Sequence, residues 1–571
     1  MPARMLRWHL YGAGLESLGD NGAPEEVDVP AFGQNELLVR QDACGLCFSD
    51  TKVIALGANH PRMTGRDLAK QPVTLGHEVS VTVVGVGCNL EGRFQIGDRF
   101  VVQADIFYRG KSMAYGYAIS GGLAEYSVIP TQVIEGDEGC YLLPVKPDTG
   151  YVESALTEPW ACVVSAYAQS HRAGLKPGGY LVVIGTFAEL KSSIAALIGS
   201  GGRSASAQVV SGSDDGADDI VSNLRERITV SVPFRNGWPT DDEWQKLKRY
   251  STDDHGFDDI LISSSTPPEV IEAAAKVLAD HGILAIIGNT PVPRKLSLDI
   301  GRIHYNWHHY LGSPSDDAAR VYSEPRTADL LPGGSTWIIG AGGPMGQMHV
   351  QRAVLHRNGP RLIVCTDLDA VRLQSVADRF GAAALERGVR LITINPADMS
   401  PEEFNAELWR LTDHRGYDDV LSMVPVAALI EHAADFIATG GWFNIFAGVA
   451  RGTMANLDVN RVITDGVRYL GSSGSSLSDM RDTLARVEER ELSTNASLAA
   501  IGGMEAALTG LQAVKEGWFP GKTLIFPLIH DLPLTPLPEL KDKMPSVYAL
   551  LKDGQFWTNE AEEELLRLHC P

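Results

Sequence analysis

The chain contains no apolar run approaching the roughly eighteen to twenty residues needed to cross a bilayer, and its opening stretch, Met1-Pro-Ala-Arg-Met-Leu-Arg-Trp8, carries no apolar signal core. A cytoplasmic protein with no membrane partner is expected. Basic charge is in deficit, with 49 lysines and arginines against 71 aspartates and glutamates, a net −22. Such a field repels phosphodiester backbones and anionic lipid, so a nucleic-acid partner is not expected, and any anionic substrate needs a local basic pocket. Cysteine is scarce as well. The seven, at 44, 47, 88, 140, 162, 365 and 570, are odd in number and scattered, which excludes a disulfide framework.

At 571 residues the chain is too long for one core, and about three to four domains are expected. Residues 36–40, 79–86, 99–103 and 124–129 are alternating or β-branched runs bounded by Gly, Asp and Pro, which reads as an all-β, barrel-like domain over 1–165. An amphipathic helix is predicted from Glu158 to about Gly174.

A pattern that occurs twice follows. Pro177-Gly-Gly-Tyr-Leu-Val-Val-Ile-Gly185 returns as Pro332-Gly-Gly-Ser-Thr-Trp-Ile-Ile-Gly340, an offset of 155. Gly256-Phe-Asp-Asp-Ile-Leu261 returns as Gly416-Tyr-Asp-Asp-Val-Leu421, and Tyr310-Leu-Gly-Ser313 as Tyr469-Leu-Gly-Ser472, at offsets of 160 and 159. Three matches at a nearly constant offset indicate a duplication. Each copy alternates apolar strands with helical patterns, the rhythm of a doubly wound parallel sheet. The division is therefore 1–165, a first copy at 166–325, a second copy at 326–492, and a tail at 493–571. In the tail, a helical 503–517 stretch, a strand at 521–527 and a terminal helix from Glu560 to His569 are predicted.

Chemistry concentrates in Cys44-Gly-Leu-Cys47-Phe-Ser49-Asp50, Gly76-His77-Glu78 and Thr157-Glu158-Pro159. A thiolate, an imidazole and a carboxylate on separate segments leave a fourth position open on a zinc ion. Each fragment also has a plain reading: a redox dithiol or half a zinc knuckle for the CxxC, a core histidine for His77, and a helix-start residue for Glu158. The second copy reads Trp337-Ile-Ile-Gly340-Ala-Gly342-Gly343-Pro344-Met345-Gly346, a strand, a glycine loop and a helical run. Such glycines let backbone approach a pyrophosphate, and the helix N-terminus supplies amide donors. Arg361-Leu-Ile-Val-Cys-Thr-Asp367 adds a second strand ending in an acid placed for the ribose hydroxyls, which favours NAD over NADP. The first copy has Thr186-Phe187-Ala188-Glu189 after Gly185, and by the 155 offset Gly212 stands for Asp367, so no dinucleotide is expected there.

Taken together, these segments, with the Gly97-Asp98-Arg99 turn between them, resemble the zinc-dependent medium-chain dehydrogenase/reductase family, in its sorbitol dehydrogenase and L-sorbose-1-phosphate reductase branch. The resemblance is strongest in Gly121-Gly-Leu-Ala-Glu-Tyr126, Gly521-Lys-Thr523 and Phe556-Trp-Thr-Asn-Glu-Ala-Glu562. It implies an α/β chain: a GroES-like β-barrel catalytic domain, completed by the tail, plus two tandem Rossmann-like domains where most relatives have one. It also implies Cys47 rather than Cys44, His77 and Glu158 as metal ligands, and Asp50 as the carboxylate orienting His77. Ser49 is implied as the proton relay, and Glu78 either as a ligand or behind the ligands. Gly340, Gly342, Gly343, Pro344, Met345, Gly346 and Asp367 would bind NAD. No cysteine occurs in 100–130, where many relatives carry a structural zinc lobe, so one catalytic zinc is expected. The implied activity is hydride transfer between NAD and a secondary alcohol of a polyol, sugar or sugar phosphate. Two alternatives stay open: transient oxidation with a net lyase or epimerase outcome, and an inactive NAD-binding scaffold. Assembly as a homo-oligomer is expected. His304-Tyr305-Asn306, in the first copy alone, resembles a motif of the reductase branch, so the two copies are expected to share labour.

Overall fold

The computed structural model describes residues 2–569 except 64, 186–205, 213–220, 223, 224, 226–228, 235, 236, 316, 317, 324, 325 and 473. The chain divides into two compact units. One comprises Met1–Ser165, Gly343–Met348 and Gly474–Pro571, the other Ala166–Gly342 and His349–Ser473. Among the described residues no helix is long and apolar enough to cross a membrane.

The first unit is built on an eight-stranded sheet. Its path runs Leu142–Pro144, Arg99–Val102, Glu78–Val86, Leu37–Leu46, Lys522–Phe526, Leu498–Gly503 and Thr535–Pro536, with Tyr126–Ile129 pairing separately on Leu37–Leu46. The tail therefore supplies strands to the sheet begun by the N-terminal residues. The long strand Leu37–Leu46 is buried on both faces at nearly every position and holds the register. Gly45 stands opposite Glu78 on one side, and Leu46 opposite Thr523 on the other. The lack of a side chain at Gly45 is required, because a Cβ there would lie 2.3 Å from Glu78 Oε2. In the tail, the helix occupies Ala507–Glu516 and stops at Gly517, whose φ of 68° few other residues adopt. The terminal helix spans Asn559–His569.

The second unit holds two six-stranded, wholly parallel sheets with the same strand order. In the first copy it is Thr229–Phe234, Ser206–Val210, Tyr180–Ile184, Phe257–Ser263, Leu278–Ile287 and His309–Ser313. In the second it is Arg390–Ile394, Leu362–Thr366, Ser335–Ile339, Tyr417–Ser422, Ile437–Ile445 and Arg468–Gly471. This is the doubly wound arrangement, and its strands are continuous apolar runs because helices cover both faces. One apolar core spans both copies, from Val182 and Ile262 to Trp337 and Tyr469.

Two details depart from the sequence reading. The helix that opens at Thr157 ends at Tyr167, short of Gly174. Beyond it Arg172 donates to both oxygens of buried Asp259 at 3.0 Å and to Gly174 O, which draws the chain off the helical path. The register also places Ser211, not Gly212, in the position of Asp367, because Val210 pairs with Ile184 as Thr366 pairs with Ile339. One residue has been gained between these strands, and the constant offset misses it. The substitutions at Phe187 and Glu189 lie outside the described residues.

Candidate metal centre and dinucleotide loop

Cys47 follows the long strand directly and caps the helix Phe48–Leu56. Its backbone N–H donates to Asp50 Oδ2 at 2.9 Å, so a carboxylate one turn on caps the helix start. The other oxygen, Asp50 Oδ1, accepts from His77 Nδ1 at 3.1 Å. With Nδ1 carrying the proton, Nε2 presents its lone pair, and Ser49 Oγ lies 3.3 Å from it. Asp50 is wholly buried and His77 nearly so. The ligand atoms of Cys47, His77 and Glu78 all lie within 4.8 Å of one another, the one such group of three among the described residues.

Sulfur, imidazole and carboxylate oxygen form a donor set that zinc accepts. Glu78 Oε2, buried with no hydrogen-bond partner, is an oxygen whose desolvation a cation would offset. Glu158 stands outside the group of three, on the first turn of the helix Thr157–Tyr167. Burial pushes its carboxyl up to about 7, and the charges of His77, Glu78, Asp105 and Lys522 all reach it. Cys44 is the other thiol of the CxxC. It is fully buried, desolvation raises it well above the ordinary thiol range, and a Cβ on Gly76 would lie 2.5 Å from its sulfur. It is an inert packing group, whereas Cys47 is partly exposed.

Two residues of this centre escaped sequence reasoning. Lys522 Nζ donates to Glu78 Oε1 at 2.5 Å and to Leu46 O at 3.1 Å. Burial opposes its charge, and Glu78, then Cys47 and Glu158, more than offset that. Tyr117 packs its ring 5.6 Å from His77 and is pushed up to about 12 by burial. Lys522 belonged to a noted motif, but nothing in its spacing told that it would face Glu78.

Two outcomes follow from this geometry. Asp50→Asn keeps the shape but removes the charge that His77 Nδ1–H addresses, so zinc affinity should fall about 10- to 100-fold, as read by competition with a chromophoric chelator. Lys522→Met leaves the Glu78 carboxylate buried without a counter-ion, which should destabilise by about 3–5 kcal/mol. The denaturant midpoint should show the loss, and adding Glu78→Gln should recover most of it.

In the second copy the strand Ser335–Ile339 leads into a turn at Gly340, whose φ is 75°. Gly340 N and Ala341 N donate to Thr366 O at 2.8 and 3.1 Å, and Gly342 N donates to Asp367 Oδ2 at 3.0 Å. A Cβ on Gly342 would meet Arg372 Cβ at 2.5 Å and Asp367 Oδ2 at 2.9 Å, so the loop keeps a space that any side chain would fill. The helix Pro344–Leu355 follows, with Pro344, Met345 and Gly346 in its first turn and Gly343 just before it. The glycine backbone and the helix N-terminus fit a pyrophosphate, with the acid at the end of the neighbouring strand on the ribose side.

The model of the alcohol dehydrogenase GroES-like domain matches residues 33–136. The chain is 29% identical over 555 residues to mannitol-1-phosphate 5-dehydrogenase of Aliivibrio fischeri, covering 95% of this chain and 94% of that protein. It is 29% identical over 550 residues to L-sorbose 1-phosphate reductase of Klebsiella pneumoniae, with the same coverage. It is 31% identical over 326 residues to YggP, an uncharacterized protein of Escherichia coli, covering 53% of this chain and 75% of that one. The mannitol-1-phosphate 5-dehydrogenase and L-sorbose 1-phosphate reductase matches run across both parallel-sheet copies of this chain.

Proposed function

Because the chain belongs to the zinc-dependent medium-chain dehydrogenase/reductase family, in its sorbitol dehydrogenase and L-sorbose-1-phosphate reductase branch, we propose that it transfers a hydride between NAD and a secondary alcohol of a sugar phosphate or polyol. The observation that carries this reading is the gathering of Cys47, His77 and Glu78 into one small group beside buried Asp50. The two relatives that match over the full length both take hexose-derived 1-phosphates by name. Phosphorylated substrates therefore rank above free polyols, although the net charge alone argues the other way.

When bound, zinc supplies a Lewis acid that lowers the alcohol pKa, and NAD supplies the hydride acceptor. The residues supply position and charge. Cys47, His77 and a carboxylate from Glu78 or Glu158 hold the ion. Asp50 keeps the His77 ring in the tautomer that leaves Nε2 free. Lys522 engages Glu78 Oε1, and Oε2 of the same carboxylate has no hydrogen-bond partner, so it would be available to a cation. Ser49 hands the substrate proton outward. Gly340, Gly342, Gly343, Pro344, Met345 and Gly346 cradle the pyrophosphate, and Asp367 takes the ribose. The reading extends to a cytoplasmic homo-oligomer, and the net charge of −22 supports the absence of nucleic-acid and anionic-membrane partners.

The test is a panel of hexitols, ketoses and their 1-phosphates, offered with NAD or NADH to the zinc-loaded protein. Steady accumulation or consumption of free NADH with one member supports a dehydrogenase. Conversion of substrate with no net change in NADH would point to transient oxidation. No turnover by any member would overturn the proposal.

A further inference from the structure

The two copies meet as two subunits of a symmetric dimer meet. Strand Leu296–Asp299 of the first pairs antiparallel with Met454–Leu457 of the second, its own counterpart in the repeat, so that Leu296 faces Leu457 and Asp299 faces Met454. Such self-complementary contact is what a two-fold interface produces. The surrounding contacts follow the same rule. A Cβ on Gly312 of the first copy would lie 2.8 Å from Ile463 Cα of the second, and one on Gly471 of the second 2.6 Å from His304 Cα of the first. His304 and Ile463 are thus counterparts, each laid on the other copy's last strand.

Here the symmetry breaks. His304 donates through Nδ1 to the backbone oxygen of Ile445 in the second copy, at 3.0 Å. Ile463 offers nothing of the kind in return. The rest of the His304-Tyr305-Asn306 motif grips the same segment: Arg451 lies over the Tyr305 ring at 5.1 Å, and its Nε donates to Asn306 Oδ1 at 2.9 Å. Ile445 is the last residue of its strand, and Phe446–Val449 form the loop beyond it, tied by Ala447 N to Ser422 O at 2.9 Å.

That loop sits in a telling place. In an open parallel sheet the ligand crosses the carboxyl ends of the strands where their order reverses. The Gly340 loop and Asp367 take the pyrophosphate and the adenosine ribose on one side. The other half of the dinucleotide then runs over the ends of Tyr417–Ser422 and Ile437–Ile445, the strands next in order. We propose that the first copy is a fused partner domain, and that its His304 is a positioning residue holding the loop beneath the nicotinamide end of NAD. This rests on the reading of the second copy as the NAD site.

The experiment compares NADH with ADP-ribose, which lacks the nicotinamide, by calorimetric titration of the full-length protein. The variants are His304→Ile, the residue that the counterpart position already tolerates, and His304→Asn, whose amide can donate from nearly the Nδ1 position. His304→Ile should weaken NADH about tenfold, the scale of one lost hydrogen bond, with ADP-ribose affinity unchanged and His304→Asn close to wild type. Equal weakening of both ligands, or of neither, would overturn the proposal and leave the second copy as the NAD site. Failure of the wild type to bind either ligand would remove the NAD reading itself, and the proposal with it.

Discussion

Cys47→Ser should leave the protein folded and without zinc after dialysis, and kcat/KM should fall by more than the ~100-fold that loss of an outer partner brings. A neutral hydroxyl replaces the one thiolate in the group of Cys47, His77 and Glu78, and two neighbours cannot make a three-ligand site. Elemental analysis of the dialysed variant gives the metal content, and initial rates on the best panel substrate give the second quantity. Cys44→Ser is the matched control. That thiol is buried under Gly76 in the core of the first unit, so the change should lower stability while zinc stays in place. Loss of zinc from the Cys44 variant and not from the Cys47 variant would reverse the assignment.

The second large effect is expected at Gly342. A valine there drives its Cβ into Asp367 Oδ2 and Arg372 Cβ, so the loop must move and the Gly342 N–Asp367 hydrogen bond is lost. NADH affinity should drop by at least ~100-fold, about 3 kcal/mol, in a fluorescence titration, with zinc content unchanged. The separation matters: Cys47→Ser should leave NADH binding intact, and Gly342→Val should leave the metal intact. If the valine variant still binds NADH normally, the dinucleotide does not use this loop.

Much of this was legible in the sequence because local chemistry and local structure coincide. Apolar β-branched runs between glycines and prolines became the strands of both parallel sheets, and the repeated Pro-Gly-Gly strand openings marked both copies. Cys47, Asp50 and His77 were readable because a helix cap and a strand end fix all three. What stayed hidden depends on register between distant segments. Lys522 reaches Glu78 only because Thr523 pairs with Leu46, and no spacing rule carries across 444 residues. Which carboxylate would group with Cys47 and His77 was likewise undecided in sequence, and bare Gly45 opposite Glu78 leaves room for the Glu78 carboxylate there. A repeat, finally, shows that two segments are alike. It does not show that they are pressed together along one edge.

The antiparallel pairing of Leu296–Asp299 with Met454–Leu457 has a genetic consequence. When identical subunits share such a seam, any substitution is written into both sides at once, and a change useful on one side must be tolerable on the other. Fusion into a single reading frame lifts that constraint. Each bank of the seam can mutate alone, and histidine facing one way with isoleucine facing the other is a mismatch that two identical subunits could not hold.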